Sequence, residues 1–77
     1  MAAYNIRTFE DAQNLVKLCD KYSKELTIDV IHGRYMVDGC STLGVMSLVG
    51  NIVTVEAEGN EEAKDEFYAE LKNMSDM

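Results

Sequence analysis

The chain predicts a two-layer α/β sandwich, in which three helices cover one face of a four-stranded antiparallel sheet. Three observations predict it. Four segments alternate apolar and polar residues with the period of two that a half-buried strand requires. Three others read as helices, each behind a hydroxyl or amide side chain suited to capping a helix start. Their order is β, α, β, β, α, β, α, and no proline, internal repeat or linker interrupts it. Strands with one apolar face need cover on that face, and three amphipathic helices supply it. The pattern leaves the strand order open.

Tyr4 and Ile6 alternate with Asn5 and Arg7 in a brief strand that ends at Thr8. Thr8 and Asp11 have the spacing of a capping box, with Asp in place of the usual Glu or Gln, and Asp11 also suits the positive end of the helix dipole. Behind them Ala12, Leu15, Val16, Cys19 and Tyr22 fall on one face of a helix, while Gln13, Lys17, Asp20 and Lys21 fall elsewhere. After a short connection at Ser23 and Lys24, Leu26, Ile28 and Val30 alternate with Thr27, Asp29 and Ile31 in a second strand, and His32-Gly33 is expected to turn it back. Tyr35 and Val37 alternate with Met36 and Asp38 in a third, half-buried strand, which Asp38-Gly39 breaks.

Ser41 reads as the N-cap of a small helix running to about Leu48, with Gly50 as its C-cap. Leu43, Val45, Met46 and Leu48 are too many apolar groups for one stripe of two turns, so some of them face solvent or a partner. Val53, Val55 and Ala57 alternate with Thr54, Glu56 and Glu58 in the last strand, which Gly59 ends. Asn60 caps the final helix, with Ala63, Phe67, Leu71 and Met74 as the buried stripe and Glu61, Glu62, Asp65, Glu66 and Glu70 as the solvated one. The last three residues are expected to fray.

Seventy-seven residues make one domain, 1–77, and a chain of this size buries only about 60% of its unfolded surface. With 47% apolar residues it has enough to form a core rather than stay disordered. Fourteen acidic against seven basic residues give a net charge of −7, which repels nucleic acids and anionic membranes as partners. No apolar run approaches the roughly 20 residues that cross a bilayer, and a cytoplasmic location is expected. Cys19 and Cys40 lack CxxC spacing and are expected as free thiols, Cys19 in the core and Cys40 inert, although a helix start behind Cys40 would favour its thiolate. One histidine cannot build a zinc site and the carboxylates lack calcium-loop spacing, so no metal or other cofactor is expected.

The stretch GRYMVDGCSTLGVMSL, from Gly33 to Leu48, carries more than fold information. It resembles the segment around the regulatory serine of HPr, the small phosphocarrier of the bacterial sugar phosphotransferase system, where a strand and a short turn lead into Ser-Ile-Met-Gly-Val-Met-Ser-Leu. Ser41, Gly44, Val45, Met46, Ser47 and Leu48 match, and Thr42 and Leu43 replace the isoleucine and methionine. A looser resemblance runs from about Thr8 to Lys72, with a shortened connection between Leu48 and Val53. It implies the HPr-like open-faced sandwich, in the element order found above.

HPr carries phosphate on a histidine at the start of its first helix, within a His-Ala-Arg-Pro run. Aligning Asp20-Lys21-Tyr22 with the end of that helix sets Thr8 at the histidine, Phe9 at the alanine, Glu10 at the arginine and Asp11 at the proline; all four differ. Glu10 and Asp11 bring negative charge where an arriving phosphoryl group needs positive, a repulsion on the order of several kcal/mol at short range. No catalytic residue is therefore assigned. In resembling proteins the serine matching Ser41 is phosphorylated by an ATP-dependent kinase, which switches the protein between sugar transport and a transcriptional regulator of catabolite repression. Ser41 is thus the candidate for regulatory phosphorylation, since a helix start favours a phosphate, although Cys40 stands where the family often has lysine.

Thr42, Leu43 and Met46 match positions with which HPr meets its partner proteins. The resemblance implies a non-enzymatic protein that binds protein partners of the phosphotransferase-system or transcriptional-regulator type. Two alternatives stand beside it. One is a residual phosphocarrier using His32 or Thr8. The other is an HPr-fold binding domain of unrelated role, including an oligomer built through Leu43 and Met46.

Overall fold

Two long central strands decide which face of the sheet is covered. In the computed structural model, which describes residues 1–75, the elements are β1 (Ala2–Ile6), α1 (Phe9–Lys21), β2 (Leu26–His32), β3 (Tyr35–Asp38), α2 (Thr42–Met46), β4 (Asn51–Gly59) and α3 (Glu61–Ser75). The strands lie in the order β1-β4-β2-β3, antiparallel throughout. Leu26, Ile28 and Val30 of β2 share a face with Val53, Val55 and Ala57 of β4 and with Tyr4 and Ile6 of β1. All are buried, together with Ala12, Leu15 and Cys19 from α1, Val45 from α2, and Phe67 and Leu71 from α3. The expected sandwich is the observed one.

Residues between these point to the other face, which no element among the described residues covers. Registers of Ala3↔Thr54, Thr54↔Ile31 and Ile31↔Met36 set one row of side chains across all four strands. Two residues along, Glu56↔Asp29 and Asp29↔Asp38 set a second row.

Several expected details change. His32 is not in the turn: it closes β2 opposite Tyr35, and the two-residue loop is Gly33-Arg34. Gly33 has φ 60° while Arg34 stays at negative φ, the arrangement of a II′ hairpin, which wants glycine first. β3 is not half-buried either. As the edge strand it has a neighbour on one side only, and Tyr35 and Met36 are exposed while Val37 alone is partly covered. In α1, Leu18 takes a buried place and Val16 is half-buried.

The second helix is shorter than expected, ending at Met46 with Ser47 as its C-cap, and Gly50 belongs to the turn into β4, where its N–H donates to the Ile6 carbonyl at 2.7 Å. Bonds from the Leu48 N–H to the Val45 carbonyl and from the Val49 N–H to the Met46 carbonyl tighten the chain there into three-residue turns. Gly39 is required by space: a Cβ on it would lie 2.7 Å from Cys19 Sγ.

Asn60 caps α3 as expected, its Oδ1 accepting from the Ala63 N–H at 2.9 Å. Glu70 leaves the solvated face to join α1. It accepts from Lys21 Nζ at 2.8 Å and from the Tyr22 hydroxyl, beside an edge-to-face contact of Tyr22 with Phe67. These bonds hold the Glu70 carboxyl below its usual range, first through Lys21 and then Tyr22, and push the Tyr22 phenol up to about 12. Of the three terminal residues expected to fray, Ser75 is helical and donates to the Leu71 carbonyl at 3.0 Å; 76 and 77 lie outside the described residues.

Candidate functional site

The N-terminus of α1 is closed by the chain's own groups. Thr8 is extended, at φ −138° and ψ 168°, and its Oγ1 accepts from the Asp11 N–H at 3.2 Å. In a standard capping box the acid three residues into the helix bonds back to the cap residue's own N–H. Here Asp11 reaches one residue further, taking the Arg7 N–H at 2.9 Å and the Arg7 guanidinium at 3.3 Å, both on Oδ2. The Tyr4 hydroxyl donates to the Asp11 carbonyl at 3.1 Å. The negative charge that a helix start favours is thus already present. Glu10 adds a second acid on the same turn, this one exposed.

The start of α2 is different. Ser41 Oγ accepts from the Gly44 N–H at 3.3 Å, and neither acidic nor basic side chains occupy the terminal turns of this helix. Gly44 is confined, since a Cβ there would sit 3.1 Å from both Ser41 Oγ and Val37 Cβ. The Asp38 carboxylate is spent on the loop before the helix, with Oδ1 accepting from the Cys40 N–H at 2.8 Å. Ser41 and Thr42 are exposed. Of the four crowded apolar residues, Val45 and Leu48 enter the core, Met46 is half-buried, and Leu43 stands 84% exposed, uncovered by any loop.

Between α1 and α2 lies a shallow depression of about 340 Å³, lined by Gln13, Val16, Lys17 and Thr42. Phe9, one helical turn before Gln13, is 63% exposed on the same side of α1. Phe9 was not singled out from the sequence, although it lies off the stripe of Ala12, Leu15 and Cys19 that marks the buried side. With Leu43 it gives this surface two large apolar groups facing water, a feature of binding surfaces more than of solvated ones. Lys17 supplies its cation.

The remaining candidates are elsewhere. Cys19 is buried, and burial first, then the charges of Cys40 and Asp38, pushes its thiol up to about 12. Cys40 is exposed, but its pKa is also raised, first by partial burial and then by Asp38 and Asp20. His32 borders a separate shallow cavity with Tyr35, Ser47, Leu48 and Asn51. Among the described residues no three His, Cys, Asp or Glu side chains are grouped to hold a metal ion, and no helix is long and apolar enough to cross a membrane.

A βαββαβα open-faced sandwich with strand order β1-β4-β2-β3, presenting two helix starts on its covered side, is an HPr-like fold. Two solved structures share it. HPr-C-His from Thermoanaerobacter tengcongensis is 26% identical, superposes with a TM-score of 0.70, and the match covers 99% of this chain and 94% of that one. The phosphocarrier protein HPr from Bacillus anthracis str. Ames is 21% identical, with a TM-score of 0.63 over 91% of this chain and 93% of that one. No family model and no curated protein matches the chain.

Proposed function

We propose that this chain is a non-catalytic relative of the phosphocarrier, which works by binding protein partners through the surface formed by α1 and α2. The exposure of Leu43, at 84%, on a helix whose other apolar residues are packed carries this reading. Phe9, Lys17 and Thr42 extend the same surface, and Met46 is half-buried against the core. The likeness to HPr structures gives the reading its partner class, proteins of a phosphotransferase system or a regulator tied to one, in the cytoplasm of a bacterium.

Phosphoryl transfer does not fit the start of α1. Thr8 Oγ1 is engaged as a cap, a threonine ester lacks the transfer potential of a phosphoramidate, and Asp11 already holds the nearby cation. Ser41 is the switch in this proposal. A phosphate there would meet a helix start without a carboxylate of its own, and it would add about two negative charges beside Leu43.

Mass spectrometry after incubation in bacterial extract tests both parts, once with ATP and once with phosphoenolpyruvate, with Ser41→Ala in parallel. Phosphate on Ser41 with ATP, absent from Ser41→Ala, is the expected result. An acid-labile phosphate from phosphoenolpyruvate, on His32 or elsewhere, would overturn the non-catalytic reading. Partner capture that is equal for the wild type, Ser41→Asp and Ser41→Ala would remove the switch, and capture unaffected by Leu43→Glu would remove the surface.

A further inference from the structure

The uncovered face of the sheet has its own organisation. Its first row, Ala3, Thr54, Ile31 and Met36, is apolar apart from one hydroxyl, and Ile52 lies at its border on β4. Met36 is 64% exposed and Ile52 65%. The second row, Glu56, Asp29 and Asp38, is acidic on three adjacent strands, and Glu58 follows opposite Thr27. Like charges directly opposite across strands are destabilising. No cation offsets them: the ion pairs among the described residues are Arg7 with Asp11, Lys21 with Glu70 and Lys64 with Glu61. Apart from the Asp38 bond to the Cys40 N–H, no side-chain hydrogen bond in the described residues engages these four carboxylates.

We propose that this face is a docking surface for a basic amphipathic helix of a partner protein. The two rows are two residues apart along the strands, a separation of about 7 Å, and the apolar row spans four strands, about 14 Å. An occupant must therefore offer apolar side chains and cations side by side over a short length. A helix with an apolar stripe flanked on one side by Lys or Arg does so within its diameter of about 10 Å, over roughly ten residues. It also satisfies its own backbone, whereas an extended segment lying on a sheet face finds no backbone partners there.

A second copy of this chain fits less well. Face-to-face pairing would set the acidic row either on its counterpart or on the apolar row, and both desolvate carboxylates without a cation.

The probe is a designed peptide of about 18 residues, long enough to hold a helix, with Leu on one face and Lys beside it. A scrambled peptide of the same composition and a version with Glu for Lys serve as controls. Binding to ¹⁵N-labelled protein is followed by amide shifts. The expected result is shifts centred on β2, β3 and β4 for the Leu/Lys peptide alone. Affinity should fall about fivefold or more, roughly 1 kcal/mol, in Asp29→Asn with Glu56→Gln, and again in Ile52→Ser. Glu62→Gln with Glu66→Gln on α3, an equal change of charge, should leave it unaltered. Asp29→Asn should also raise the melting temperature by a few degrees, which shows that the variant is folded. Shifts centred on α3, equal binding of the scrambled peptide, no binding at all, or a dimer in sedimentation that Ile52→Ser dissociates would each overturn the proposal, the last by giving the face to a second copy.

Discussion

The starts of α1 and α2 are both capped by a hydroxyl, yet they are prepared for different company. At α1 the cap is followed by Glu10 and Asp11, and Asp11 holds the Arg7 guanidinium and backbone N–H in place. At α2 the cap is followed by Thr42, Leu43 and Gly44, without charge. A negative charge at a helix start is favourable by up to about 1 kcal/mol, and α1 has such charge built in while α2 does not. The comparison teaches that a helix start can be closed to an external anion by a side chain three residues in, without altering its backbone.

The largest effect is expected where α2 depends on space. Gly44→Val would force a side chain against Val37 and Ser41 and should cost about 2 kcal/mol in urea unfolding, with loss of the Ser41 cap. Next comes Asp11→Ala, which leaves the Arg7 N–H and guanidinium without their acceptor and should cost about 1–2 kcal/mol. Asp11→Asn keeps an acceptor and should recover roughly half of that cost. If the two lose equally, charge rather than hydrogen bonding closes α1.

Cap removal is smaller and sharpens the contrast directly. Thr8→Ala should cost about 1 kcal/mol and Ser41→Ala about 0.5 kcal/mol, the second less because the short helix is held mainly by Val45 and Leu48. Ser41→Asp should be neutral or slightly stabilising, whereas a further acid at the α1 start, as in Phe9→Glu, should not stabilise. Reversal of that order would break the comparison.

The smallest effect lies away from both starts. Glu70→Gln should cost less than about 1 kcal/mol at neutral pH, because Lys21 and Glu70 are well exposed. Its pH dependence has two signs. The lowered Glu70 carboxyl stabilises the fold above its ordinary range, and that contribution is lost as pH falls through the lowered value. The raised Tyr22 phenol stabilises below its ordinary 10.0, and this is lost as pH rises through about 12. Tyrosinate absorbance should therefore show a late-titrating component in the wild type, and the Tyr22 part of it should move back toward 10.0 in the variant while the Tyr4 phenol, raised by burial, stays late.

Most of the fold was legible because local chemistry and tertiary packing agree. Thr8, Ser41 and Asn60 each cap the helix they were expected to cap, and the alternation of β2 and β4 matches their burial. The misses share a cause. Tyr35 alternates like a buried residue but sits on an edge strand, and strand order is a non-local property that alternation does not encode. Glu70 looks solvated on its own helix, and its partners Lys21 and Tyr22 are distant in sequence. At the candidate site, Ser41, Thr42 and Leu43 were legible through the resemblance around them, and all three are exposed. Phe9 and Lys17 were not, since what joins them to α2 is the packing of two helices. The bare face was legible in its alternation but not in its rows, which need the cross-strand register.

The contact between Gly39 and Cys19 has a practical consequence. Cys19 is sealed under a residue with no side chain, while Cys40, the very next residue after that glycine, faces water. An alkylating reagent should therefore add one mass increment to the native protein quickly and the second only when the core opens. The chain carries its own stopwatch for unfolding, with the start signal and the lap time recorded in a single mass spectrum.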